Sequence, residues 1–532
     1  MQLPLVFPSE PIPTIDACRS RLQFLSGLKP VKYHCCVNSC CCFTGPHADL
    51  LACSYCGEAR YSSNMKPRKY FNYLPFIPCL VAMYANPDKN KEMRYRAFEH
   101  SHSPDNITDI FDSHIYRRLL GTTVHIDGRS FHHEYFCDPR DIALGLSTDG
   151  FGPFKRRRAT AWPIILFNYN LPPETRFHID NIICLGVIPG PKKPVDMDSF
   201  LWPIVEELLR LQLGIQAFDV LADELFLLRA YLIIVFGDIP AVSMVMRMTG
   251  HNGFSPCRMC NIKGIRAPDS NAYYVPLDRS RHPDVRATLN PILRYDPAAL
   301  PLRTETEMLR QAKTVQEARS DSMASQLARD YGIKGIPILS CIKSLIFPLS
   351  FPYDFMHLIW ENLIPNLVLH WTGEFKGLDD GKEDYIIPRH VWQAIGAAAA
   401  ASGSTIPSAF GARPPNIVDN KAARTAESWS FWALFLGPVL LRRRFNKPQY
   451  YKHFVCLVEL LNICLQFEIT SEEVEIVREG FIEWIKDYER CALLVTAYSL
   501  SHTLVGFTIS TPWIVYQHAL SQYMHCCMLL IV

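Results

Sequence analysis

An α/β fold is predicted for this 532-residue chain by three observations. Leu232–Phe236 is a short β-branched apolar run, the pattern of a strand buried on both faces, and it stops at Gly237-Asp238-Ile239-Pro240. Three earlier stretches, 141–150, 162–170 and 181–188, have strand character, and 201–213 has helical periodicity. The composition, 48% hydrophobic and 20% charged, is that of a folded globular chain long enough for several domains.

A formal net charge of only +2 advertises no global attraction for a polyanion, so any basic surface must be local. Two runs qualify, Lys155-Arg156-Arg157-Arg158 and Arg442-Arg443-Arg444, although each also reads as a solvated loop or helix end. Met1–Pro13 has four prolines and no basic start, so no secretory signal is expected, and the 19 cysteines are expected to be reduced. Seven of them crowd between Cys35 and Cys56, which points to metal rather than to bridges.

Within that cluster, Cys36-x-x-x-Cys40 and Cys53-x-x-Cys56 have the spacing of a zinc ribbon, in which four thiolates surround a tetrahedral ion. Cys35, Cys41, Cys42, His34 and His47 leave the choice of ligands open. Residues 1–75 are therefore expected to form a zinc-ribbon-like region, joined by a linker over 76–115 to a core over 116–380. Such a knuckle contributes folding energy and offers a surface, with no open position for catalysis.

The core begins with the three strand-like stretches. The first ends at Asp149-Gly150, a pair that by itself reads as a turn. Helix 201–213 and the Asp238 strand follow. Three strands, a helix and a fourth strand bearing an acid make the ribonuclease-H-like order, in which the first and fourth strands lie side by side. Asp149 and Asp238 can then meet at strand ends and chelate Mg²⁺, a hard ion that prefers carboxylate oxygen. Shortly after Asp238 comes Cys257-x-x-Cys260, again with metal-ligand spacing.

Residues 262–334 are polar and Arg-rich, too long for a plain connection, and read as an insertion with a helix from Glu305 to about Tyr331. Beyond it, Met356, Ile359, Trp360, Leu363, Leu367 and Val368 form a helical stripe that Pro365 should kink. His357 and Glu361, four apart, share one face of that helix. Glu361 is either a solvent-facing residue at the stripe's edge or a third metal-binding carboxylate. Residues 381–532 read as a helical region with segments at 426–444, broken at Gly437-Pro438, and at 451–467, and with a capping box at Thr470-x-x-Glu473. The last stretch, 492–532, holds no Asp, Glu, Lys or Arg, yet seven Ser or Thr, His502 and Pro512 interrupt Leu493–Tyr516, so no membrane span is expected.

Taken together, CVNSC…CSYCGEARY, LGLSTDGFGPF, NYNLPPETRFHIDNIICLGVIPGPKKP, GDIPAVSMVMRMTGHNGFSPCRMC and PYDFMHLIWENLIPNL resemble, in this order, the transposases of CACTA-type (En/Spm-like) DNA transposons, especially those of fungi. The resemblance covers most of residues 30–490. It implies a DDE/D catalytic core with Asp149, Asp238 and Glu361 as the acids, Asp354 being the rival for third place. It further implies Mg²⁺ or Mn²⁺ on those acids and Zn²⁺ on Cys36, Cys40, Cys53 and Cys56. A second zinc pair, Cys257 and Cys260, would be completed by His357 or another histidine. Double-stranded DNA as partner, a homo-oligomer and a nuclear location follow from the same likeness. The start close to the knuckle and the uncharged terminus depart from the family pattern and suggest a partial or degraded copy. The competing expectation is a zinc-bearing module that holds DNA or protein without cutting. A zinc hydrolase built on His357 and Glu361 lacks the second nearby histidine of an HExxH helix.

Overall fold

The computed structural model describes residues 14–492 except 127, 154–158, 267–272, 281, 288, 290, 376–381, 408–412 and 420–423. The basic run 155–158 and the uncharged residues beyond Ala492 lie outside the described residues, whereas Arg442–Arg444 form an exposed turn. Among the described residues no helix is long and apolar enough to cross a membrane.

A six-stranded mixed sheet organises the chain. Its strands are β1 (Val31–His34), β2 (Tyr70–Tyr73), β3 (Ile142–Thr148), β4 (Ala161–Asn168), β5 (Ile183–Pro189) and β6 (Ala230–Phe236). They lie in the order β1-β2-β5-β4-β3-β6. The meander β3-β4-β5 is antiparallel, while β6 joins the far side of β3 in parallel, with Ser147 opposite Phe236. A parallel return needs a crossover, and helix α1 (Met197–Leu213) supplies it. Every residue of β3 and β6 is buried because both faces of the sheet are covered. On one face Leu144, Leu146 and Val235 meet Leu201, Ile204 and Leu208 of α1, and on the other Phe167, Tyr231 and Phe236 meet Phe111 and Tyr116.

The strand and helix expectations for the core hold, with additions. A two-stranded hairpin, Ile215–Asp219 with Glu224–Leu228, stands between α1 and β6. β2 reaches β5 at Tyr73 opposite Gly186, where a Cβ would sit 2.6 Å from the Asn72 carbonyl, so only glycine admits the extra strands. The expected helix 305–331 is two helices, Glu305–Gln316 and Asp321–Tyr331, because Ser320 caps a new start by accepting from the Met323 N–H. At 437–438 the chain stays helical: a π-helical turn, Trp432–Leu436, absorbs the missing proline N–H before Gly437–Leu440 continues. The capping box forms as expected, with Glu473 N–H on Thr470 Oγ1 at 3.1 Å and Thr470 N–H on Glu473 Oε2 at 2.9 Å.

Residues 76–115 carry short helices, and their end is held by a buried ion pair. Arg176 faces Asp109 through two hydrogen bonds, 3.0 and 3.3 Å, with both side chains fully buried. Tyr95 Oη donates to the same carboxylate at 2.9 Å. Removing one partner strands a charge in a dry site, which costs about 3–5 kcal/mol. Arg176→Met is expected to lower stability by that amount in denaturant melts, whereas an exposed Arg442→Met should change it by less than about 0.5 kcal/mol.

Candidate active site

β3 and β6 run in parallel, and beyond an irregularity between Leu232 and Ile234 they pair Ser147 with Phe236, so Asp149 and Asp238, each two residues further on, leave adjacent strand ends. The strand ends are close: a Cβ on Gly237 would lie 2.6 Å from the Thr148 carbonyl. Gly150 is equally constrained, since a Cβ there would lie 2.3 Å from the Trp162 ring. The Asp-Gly pair thus serves backbone packing as well as placing an acid. Asp238 caps the helix α2 (Ile239–Val245), accepting from Ala241 N–H at 2.5 Å, which leaves its second oxygen uncommitted to the cap.

A third element faces these ends. Met356–Leu363 is π-helical and passes into the α-helix Ile364–Trp371, with Pro365 in the first turn of the latter. The kink expected at Pro365 therefore takes the form of a wide turn just before it, since proline offers no N–H to close an α-helical turn on Glu361. His357 projects from this turn. Its Nδ1 is 3.1 Å from Asp354 Oδ1, and its Nε2 is 4.0 Å from Asp149 Oδ2 and 3.9 Å from Glu361 Oε2. The first is a hydrogen bond and the others are charge contacts. Glu361 is the most exposed acid of the set, its side chain 42% accessible against 15% for Asp149 and 9% for Asp354.

The electrostatics follow. Burial and the neighbouring Asp238 charge push Asp149 up to about 6, only partly opposed by His357 and the Gly150 N–H. Burial acts to lower His357, but the Asp354 hydrogen bond and the charges of Asp354, Glu361 and Asp149 outweigh it and raise the imidazole to about 9. Burial acts to raise Asp354, and its bonds to His357 bring it below the ordinary value. At neutral pH an imidazolium thus stands among three carboxylates, where a metal cation is also suited. Behind it Arg258, fully buried, lies 3.9 Å over the Tyr353 ring and feels the Asp354 and Asp238 charges. Nothing in the sequence reading singled out Arg258; its signal was a charged residue inside a Cys-x-x-Cys turn.

Asp149 is the carboxylate of this cluster that burial and the Asp238 charge shift upward. Because its folded value lies above the ordinary 3.8, the site costs no stability below pH 3.8 and progressively more as pH rises to 6, the full cost remaining above 6. His357 acts oppositely: its stabilisation is complete below 6.5 and lost as pH rises through about 9. Asp149→Asn is accordingly expected to stabilise the metal-free protein at pH 7.5 by on the order of 1–3 kcal/mol, and by much less at pH 4.5. Thermal melts of both proteins at the two pH values check this; equal shifts at both would contradict it.

The amino-terminal thiols make a second site. One ligand atom from each of Cys36, Cys40, Cys53 and Cys56 lies within 4.8 Å of the others, a donor set able to hold zinc. Two turns create it: Ser39 and Gly57 take left-handed φ of 65° and 73°, and Ser39 N–H and Gly57 N–H close on the Cys36 and Cys53 carbonyls. The open choice of ligands is thereby narrowed. Cys35 and Cys42 bridge β-fashion behind the site, His34 receives Arg60, and His47 Nε2 pairs with Asp196 at 2.8 Å. The knuckle is docked on α1 and its entry: Val195 and Asp196 N–H donate to the Cys40 carbonyl, and Cys42 N–H to Ser199 Oγ.

Cys257 and Cys260 are buried, and the N–H groups of Met259 and Cys260 both donate to Cys257 Sγ at 3.2 Å. Tyr353 Oη is 3.4 Å from the same sulfur. His357 instead turns to the carboxylates. Among the described residues only the amino-terminal thiols gather three or more ligand atoms within 4.8 Å of one another.

The core is thus mixed α/β, with Asp149 and Asp238 at adjacent ends of two parallel strands and a separate four-thiol site able to hold zinc. Residues 125–275 match the sequence model of a family described as transposase family tnp2. The match supports a DNA transposase of this family. It spans β3 to β6 and the Cys257–Cys260 turn, hence Asp149 and Asp238, but not the helix with His357 and Glu361. None of the curated proteins compared with the chain matches it.

Proposed function

We propose that the chain is a CACTA-type transposase with a ribonuclease-H-like DDE/D core, cutting DNA at transposon ends and joining the freed 3′-hydroxyls to target DNA. The observation that carries this reading is the parallel pair β3–β6, whose adjacent ends carry Asp149 and Asp238, with the charges of Asp238 and Asp354 acting on Asp149 and with His357 lying 4.0 Å from Asp149 and 3.9 Å from Glu361. Three antiparallel strands followed by a parallel fourth, reached through α1, support the core assignment. The donors fit hard divalent cations: oxygen ligands, partly desolvated, one with a raised pKa that a cation would lower. Asp149, Asp238 and Glu361 would hold Mg²⁺ or Mn²⁺, which when bound activates the attacking oxygen and stabilises the departing one. Asp238 is oriented by its cap on α2, and Asp354 holds the His357 ring. His357, cationic at neutral pH, can neutralise Asp149 and Glu361 before an ion arrives and balance phosphate charge afterwards. The protein would act in the nucleus on duplex DNA, as a homo-oligomer engaging two ends.

The imidazolium among the acids also favours a second reading, a zinc-containing module that grips DNA without cutting. Incubating the protein with supercoiled DNA carrying the element's ends, with Mg²⁺ or Mn²⁺ and with EDTA, separates the two. Metal-dependent nicking is expected; binding without nicking in either metal would leave the module.

A further inference from the structure

A cavity of about 900 Å³ lies between Asp238 and Asp354 in chain order, lined by residues from Phe254 to Arg329. Four cations line it, Lys263, Arg266, Arg279 and Arg329, and no carboxylate does. Among the described residues none of the four makes an ion pair, although the charges of Glu489 and Asp330 reach Arg279 and Lys263. That is unusual for buried charge: Arg279 is only 4% exposed, its Nε has no hydrogen-bond partner, and burial lowers its pKa. The same wall carries aromatic faces. Arg279 lies 4.7 Å over Tyr295, Arg266 4.9 Å over Tyr273 and Arg329 5.0 Å over Phe254. Arg329 also donates to Tyr273 Oη at 3.2 Å, and the Gly264 backbone presses close enough to Tyr273 that a Cβ would come within 2.9 Å.

Unpaired guanidiniums want a polyanion, and rings and guanidinium planes want a flat aromatic partner. A nucleotide supplies both, and one that is unpaired exposes its base face. A duplex would present phosphates but keep its bases stacked. The segment that starts the cavity also carries Arg258, stacked on Tyr353 next to Asp354, so the cavity and the acid cluster share a support. We propose that this cavity takes an unpaired nucleotide of a DNA strand displaced beside the acid cluster. The assignment rests on the transposase reading for its source of DNA.

The test uses the full chain in EDTA, so that no cleavage intrudes, with fluorescence anisotropy on a labelled single strand and on the matching duplex. Arg266 and Arg329 are exposed and serve as variant sites that spare the fold. The doubly substituted Arg266→Ala, Arg329→Ala protein, and separately Tyr273→Ala, are expected to bind the single strand about tenfold more weakly. The salt slope should fall by about 0.7 for each lost phosphate contact, while duplex binding stays within about twofold. Unchanged single-strand affinity in both variants overturns the proposal, as does an equal loss on duplex. Competition by free dAMP or dATP at micromolar concentration overturns the strand assignment in favour of a free nucleotide. Failure of metal-dependent nicking in the unmodified protein sinks the catalytic reading alone, because the binding comparison contains no metal.

Discussion

Asp238→Asn is expected to reduce metal-dependent nicking by at least about 10³-fold, and Asp149→Asn by the same order. On the proposed mechanism the size is that of losing one carboxylate from a site where divalent ions would contribute several kcal/mol to stabilising charge in the transition state, at about 1.4 kcal/mol per tenfold. Lost activity in Asp149→Asn cannot be blamed on unfolding, because that variant is expected to melt higher than the parent at neutral pH. Glu361→Gln should lose about 10²-fold or more, its side chain being accessible and unengaged by a hydrogen bond to His357. Asp354→Asn should act differently: it removes the main stabiliser of the imidazolium, so its deficit is expected to depend on pH, growing as His357 loses its proton. Single-turnover nicking across pH 6 to 9 for the four variants reads these apart. Full activity in Asp149→Asn or Asp238→Asn would remove the two strand ends from the chemistry.

Replacing thiols of the knuckle should have the largest effect on folding. Structural zinc sites contribute about 10–16 kcal/mol of binding free energy that is coupled to folding. Here the coupled unit is more than the knuckle, because β1 and β2 extend the central sheet and Lys69 Nζ donates to the Val37 and Pro189 carbonyls. Cys40→Ser and Cys53→Ser are expected to abolish zinc in the purified protein, to expose residues 31–73 to amide exchange, and to lower the melting temperature. A chelator should do the same to the parent, and Cys18→Ser, at an exposed cysteine, should do nothing. Zinc-free parent protein with unaltered exchange in that segment would refute the site.

The parts of this fold that were legible in the chain are those whose physics is local. The β-branched run before Asp238 could only be a buried strand, and Thr470 with Glu473 announced its helix start through a pair three residues apart. The Cys pairs carried their own spacing. What escaped was decided by distant partners. β2 owes its place to a glycine at 186 that lets it approach β5, and nothing in YFNY says so. Residues 215–228 form a hairpin whose outward Phe218, Leu225 and Leu227 disguise its alternation. The resemblance offered His357 or another histidine to complete the Cys257–Cys260 pair, and nothing in the sequence showed that His357 Nδ1 would lie 3.1 Å from Asp354 Oδ1. The cations around the insertion cavity are scattered from 263 to 329, and no window of sequence shows four of them meeting.

The docking of the knuckle on α1 also orders events at the ribosome. Cys36 and Cys56 are 20 positions apart, but Cys42 must wait for Ser199, 157 positions later. At about 5–20 residues per second, that wait is roughly 8–30 s. The four thiols can close around an ion as soon as they emerge, while the surface they will rest on is still unmade. The knuckle is thus a part finished early and fitted late, and a nascent chain starved of zinc carries reactive thiols through the whole synthesis of the sheet.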